Sequence, residues 1–178
     1  RKTAYRDTLD RLAGWYLESG VMPKADGSKG IYEGFRSYDH KLIPMYRSDC
    51  NAETALGFLQ YGKLSGERSR VKIAENIVSF LWKKGWQDTD PTRNTCGLWK
   101  FYDDFEPFTA VGYPNDNTEA CRTLFILYQH TGKEKYLKSA MLTAEKFYQL
   151  KMHRNMGRIE GRDLNRMEIP AYVKKMKA

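Results

Sequence analysis

At 178 residues the chain can bury the core of one domain, and no apolar run approaches the ~20 residues needed to cross a bilayer, so no membrane segment is expected. The net charge of +8 is uneven: residues 151–178 hold eight Lys and Arg against three Asp and Glu, which leaves +3 for residues 1–150 and speaks against a nucleic-acid partner for the folded part. Three cysteines without a close pair (Cys50, Cys96, Cys121) and three scattered histidines (His40, His130, His153) give no basis for a disulfide framework or a metal site, and the cysteines read as small packing residues.

The first predicted element is a helix over Thr3–Ser19. Tyr5, Leu9, Leu12, Ala13 and Tyr16 form its apolar stripe, with Arg6, Asp7, Asp10, Arg11 and Glu18 opposite. A long connection, Gly20–Cys50, leads to a second helix over Ala52–Tyr61 that is apolar almost all round. The turn Gly62–Arg68 joins it to a third helix, Ser69–Lys84, striped again, with Lys72, Glu75, Asn76, Ser79 and Lys83 facing water. Another long connection, Gly85–Asp116, leads to a mostly apolar helix over Thr118–Tyr128. The turn His130–Lys133 then opens the fifth helix, Glu134–Leu150, with Lys135, Lys138, Glu145, Lys146 and Gln149 as its wet stripe. Residues beyond 151 show no clean period. A helix that is apolar all round is buried, and a striped one faces water, so the order is outer, inner, outer, inner, outer.

The chain also repeats itself. Asn51-Ala52-Glu53 and Asn117-Thr118-Glu119 open the two inner helices 66 residues apart, and Gly66 and Gly132 close them at the same spacing. Gly30-Ile31-Tyr32-Glu33 and Gly97-Leu98-Trp99-Lys100 mark the long connections 67 residues apart, with a weaker third copy at Gly157-Arg158-Ile159-Glu160. Each is expected to be a short extended segment or hairpin. A fixed period of this size marks a supersecondary unit that buries its apolar face by stacking on copies of itself. Connections of about 30 residues far exceed the usual ~2–8 between helices and point to function. Because each precedes an inner helix, both are expected on one face.

These features resemble the six-hairpin glycosidases, the alpha/alpha-toroid superfamily. The resemblance is carried by the inner–outer alternation and by the turns Leu64-Ser65-Gly66-Glu67 and Thr131-Gly132-Lys133-Glu134-Lys135-Tyr136. It is also carried by the segments Asp26-Gly27-Ser28-Lys29-Gly30-Ile31-Tyr32-Glu33-Gly34 and Tyr46-Arg47-Ser48-Asp49-Cys50-Asn51-Ala52-Glu53, which are similar to those of polysaccharide-utilisation enzymes. It implies an all-α fold: an alpha/alpha hairpin array, a partial alpha/alpha toroid, with short β-hairpins in the long loops. Residues 1–165 would make about two and a half hairpins of such a toroid, and 166–178 a basic tail or a truncated continuation. A closed ring of six such repeats needs roughly 400 residues, so the resemblance implies a fragment or an open array completed by the missing remainder or by a second chain. The first residue is Arg and no signal peptide precedes it, so the start gives no compartment; the resemblance implies a periplasmic or secreted one.

Glycoside hydrolysis needs two carboxyl groups across the scissile bond, one of them kept protonated near neutrality by an apolar or like-charged setting. The first long loop offers Glu33, Asp39 and Asp49; the second offers Asp103, Asp104, Glu106 and Asp116. Asn51 and Asn117 read as N-caps, with Glu53 and Glu119 as first-turn acids favoured by the helix dipole. Asp49 and Asp116 break the repeat by one position, lie just before the inner helices, and are the expected acid/base pair. Asp103 and Asp104, adjacent among aromatics, are the reserve. Arg36 and Arg47 could grip a uronate carboxylate, Tyr32, Trp99 and Tyr113 could serve as sugar platforms, and Glu33 completes the substrate-binding set. The expected function is a carbohydrate-active enzyme, a glycoside hydrolase on an oligo- or polysaccharide, without cofactor or metal. Its rivals are a non-catalytic helical glycan- or protein-binding scaffold and, third, a sugar epimerase leaning on His40.

Overall fold

The computed structural model describes residues 2–101, 103 and 114–150. Its elements are α1 (Lys2–Glu18), β1 (Gly34–Arg36), β2 (Lys41–Ile43), α2 (Ser48–Ser65), α3 (Arg68–Lys83), α4 (Pro114–Thr131) and α5 (Glu134–Leu150). The protein is all-α with a short β-hairpin, and the five helices fall where the periodicity predicts them. The third repeat copy at Gly157–Glu160 and the segment 166–178 lie outside the described residues.

The inner helices start earlier than their apolar runs suggest. Pro114 occupies the first position of α4, where its fixed φ suits a helix and its missing N–H costs nothing. Asn51 and Asn117 therefore stand inside their helices and are not N-caps, and Glu53 and Glu119 fall beyond the first turn. The first-turn acids are Asp49 and Asp116. Glycine marks the ends: Gly20 and Gly85 follow α1 and α3, and Gly66 and Gly132 follow α2 and α4, all in the left-handed region that a Cβ disfavours.

The chain divides into two compact units, Arg1–Tyr46 with Cys50–Leu81, and Arg47–Asp49 with Trp82–Ala178. In the first unit the core is built from Val21 and Ile31 of the long loop, Ala55, Phe58 and Leu59 of α2, and Ile73, Ala74, Ile77 and Val78 of α3. Asn51 ties loop to helix: its Oδ1 accepts from the Ile31 N–H at 2.9 Å and its Nδ2 donates to the Ile31 carbonyl at 3.1 Å. Tyr46 bridges Tyr32 and Phe80, with ring centroids 5.1 and 5.0 Å away. The hairpin pairs Gly34 with Ile43, Phe35 with Leu42 and Arg36 with Lys41, antiparallel. His40 closes its turn with a positive φ of 53°, so the residue the epimerase reading leans on is an exposed turn residue.

In the second unit Trp86, Leu98, Trp99, Leu124, Leu127, Tyr136 and Ala140 form the core. Asn117 repeats the task of Asn51, its Oδ1 accepting from the Trp99 N–H at 2.8 Å. The loop closes on itself through an isolated antiparallel bridge between Gln87 and Trp99. Thr143 of α5 donates to the Gly97 carbonyl at 2.7 Å and accepts from Trp99 Nε1 at 3.0 Å. The repeated asparagines thus pin the repeated Gly-x-aromatic loops to the inner helices, satisfying backbone groups that burial would otherwise leave costly.

Candidate active site

Arg47, Ser48 and Asp49, at the start of α2, belong to the second unit, as do Phe101 and Asp116. The Ser48 N–H donates to the Phe101 carbonyl at 3.2 Å, which sets the start of α2 beside the second long loop. Arg47 then reaches two carboxylates at once. Its Nη2 donates to Asp49 Oδ2 at 2.6 Å and stands 3.5 Å from Asp116 Oδ1, while its guanidinium lies 4.7 Å from the centre of the Phe101 ring. Planar, always charged and weakly hydrated, a guanidinium suits a site of two carboxylates and one ring face. The two oxygens facing it are at most about 6 Å apart, the sum of 2.6 and 3.5 Å.

The site is dry. Ser48, Asp49 and Asp116 are 0%, 8% and 3% exposed. Burial, and next the negative charge of Asp49, push Asp116 up to about 6, against the opposing pull of Arg47. The two acids therefore differ: Asp49 takes the short charged hydrogen bond, and Asp116 holds a proton two orders of magnitude more tightly than an ordinary carboxyl. Ser48 Oγ and Asp116 Oδ1 are buried and make no hydrogen bond, so both retain capacity for one. Glu119 lies one turn beyond Asp116 and pairs with Arg122 at 2.9 Å. Among the described residues no three His, Cys, Asp or Glu side chains stand close enough to hold a metal ion.

The remaining sequence-predicted residues go elsewhere. Tyr32 and Glu33 line a cavity of about 330 Å³ in the first unit, walled by Leu9, Trp15, Tyr16 and Phe58 and also touched by Glu53. Arg36 is exposed on β1, pairing with Asp39 at 2.9 Å and lying over the Tyr38 ring, so it and Asp39 form a surface ion pair. Trp99, at 1% exposed, is closed in the core with its indole N–H spent on Thr143, and it presents no face for a sugar. Arg47 is engaged with the protein's own carboxylates rather than extended toward a ligand. Asp103 is half-buried, and its carbonyl accepts from Lys100 Nζ at 2.9 Å. Asp104, Glu106 and Tyr113 lie outside the described residues. All three cysteines are free thiols; burial pushes Cys121 up to about 11.

Sequence reasoning missed Ser48 and Phe101 at this site. Ser48 directly before Asp49 is an ordinary helix-start signal and was readable. Phe101 acts through its carbonyl and ring face, which no motif announces. Comparisons with protein-family models, with curated proteins and with solved structures find no match to this chain.

Proposed function

We propose that the chain carries the acid/base centre of a glycoside hydrolase acting on an oligo- or polysaccharide. One observation supports the reading above the others: two buried carboxyl groups share one guanidinium, and burial with the charge of Asp49 raises Asp116 to about 6. Paired acids whose environments drive them apart are how one site runs acid and base chemistry together. Asp116, protonated up to about pH 6, is the general acid that gives its proton to the leaving glycosidic oxygen. Asp49, held by Arg47 at 2.6 Å, attacks the anomeric carbon or draws a proton from water. The carbohydrate assignment itself comes from the family resemblance.

The test is hydrolysis of a glycoside panel by the intact gene product. Turnover should fall as pH rises through about 6, when Asp116 loses the proton it donates. Asp49→Asn and Asp116→Asn should each cost roughly 10²-fold or more in kcat, the scale of a lost acid or base. Unchanged turnover in both variants overturns the assignment. A second reading, a non-catalytic glycan- or protein-binding scaffold, draws support from the pairing of Arg47 with both carboxylates, which neutralises charge inside the protein. Saturable glycan binding by calorimetry without turnover would favour it.

A further inference from the structure

The cavity of the first unit lies between one face of α1 and one face of α2. Leu9, Leu12 and Tyr16 supply the α1 side at helical spacing, and Glu53, Gly57 and Tyr61 the α2 side. The two helices meet through the Tyr61 hydroxyl, which donates to the Asp10 carboxylate, and through the Tyr16 and Phe58 rings, edge-on with centroids 6.0 Å apart. The long loop adds Val21, Ile31 and Tyr32 to the lining. The space enclosed is about 330 Å³, within the ~300–1,000 Å³ of small-molecule pockets.

Gly57 keeps part of that space open. It stands inside α2 with a φ that any residue adopts, and a Cβ there would meet nothing within 4 Å. A glycine within a helix costs stability relative to alanine, so neither the backbone nor close packing accounts for it. The repeat does not call for it either: 66 residues on, α4 carries Thr123, only 1% exposed. Room in the cavity is what this glycine provides.

The aromatic walls are held in place. Trp15 packs on Tyr16 and Phe35, with centroids 5.1 and 5.8 Å away, and Tyr32 packs on Tyr46 at 5.1 Å. The faces of such rings attract cations. The charged side chains on the lining are both acidic, Glu33 and Glu53, and no Lys, Arg or His among the described residues lines it. An anion would therefore meet two carboxylates. A saccharide carries a hydroxyl on nearly every carbon, and a wall of Leu9, Val21 and Ile31 would leave hydroxyls unpaired. We propose that this cavity binds a small organic ammonium with an apolar body. The aromatic rings and the two carboxylates take the cation, and the aliphatic wall takes the body. Arg47, Asp49 and Asp116 do not line it, so the proposal stands or falls apart from the hydrolase reading.

The experiment is titration calorimetry on the 178-residue chain with probes of one shape: phenethylamine, protonated at pH 7 as a lysine side chain is, neutral phenethyl alcohol, and anionic phenylacetate. Cellobiose is the saccharide control. Phenethylamine should bind one-to-one and about tenfold or more tighter than phenethyl alcohol, a factor within reach of cation–π and carboxylate contacts. Phenylacetate and cellobiose should not bind. Glu33→Gln combined with Glu53→Gln should bring the amine down to the level of the alcohol. Gly57→Leu, which fills the cavity, should abolish binding of both. Gly57→Ala should weaken it several-fold while raising the urea midpoint, and it decides the matter if the leucine variant does not fold. No binding of the amine, equal affinity for amine and alcohol, tighter binding of cellobiose, or affinity untouched by the Gly57 substitutions overturns the proposal.

Discussion

Asp116 shows how one residue's setting sets both stability and chemistry. Its ordinary carboxyl value is 3.8, and burial with the charge of Asp49 beside it raises this to about 6 in the fold. The folded state thus disfavours the ionised form. Below about pH 4 the group is protonated in both folded and unfolded chains, and no penalty arises. As pH climbs from there toward 6 the unfolded chain gives up its proton first, and stability falls; above 6 the loss is complete and constant. Asp116→Asn removes the titration. The variant should gain ~1–3 kcal/mol over the native protein at pH 8, and the gain should vanish near pH 4, as read by urea unfolding at both pH values. A variant no more stable at pH 8 would mean that the Arg47 contact at 3.5 Å outweighs the burial of the charge. A residue that costs stability in order to hold a proton is what a catalytic acid requires.

At the scale of elements, the glycines divide into two kinds that sequence alone does not separate. Gly66 and Gly132 end the inner helices with φ of 78° and 66°, and a Cβ at either would meet nothing within 4 Å. Gly97 has φ of 97° and also presses against α5, where a Cβ would come within 2.3 Å of the Leu142 carbonyl oxygen. Gly66→Ala should therefore cost only the left-handed strain, about 1 kcal/mol. Gly97→Ala must also push a loop held by Thr143 away from α5, and should cost roughly 3 kcal/mol or more, in the range of severe backbone and overpacking effects. Urea midpoints of the two variants decide it. The same contrast explains what was legible beforehand. Helix positions followed from apolar spacing, and Asp49 and Asp116 could be paired because they stand at the starts of equivalent apolar runs, where the structure places them in the first turns of α2 and α4. The work of Asn51 and Asn117 could not be read, since their partners Ile31 and Trp99 lie 20 and 18 residues back across a loop. Local pattern makes such an asparagine a cap; only the folded loop makes it a tether. Trp99 misled in the same way, its aromatic ring suggesting a platform until Thr143, 44 residues on, claims its N–H.

For the whole molecule, the boundary between the two compact units does not run through a linker. It falls within α2, between Asp49 and Cys50, and within α3, between Leu81 and Trp82. A division that falls inside helices rather than at a linker offers no break at which unfolding would stop, so unfolding is expected as one event. The four tryptophans allow a check, since Trp15 lies in the first unit and Trp82, Trp86 and Trp99 in the second. In Trp15→Phe the fluorescence reports the second unit alone, while circular dichroism reports helices of both units. The two urea transitions should share one midpoint and one slope. A dichroism transition that splits, with its earlier step silent in fluorescence, would show the first unit melting by itself and the helices parting at the boundary.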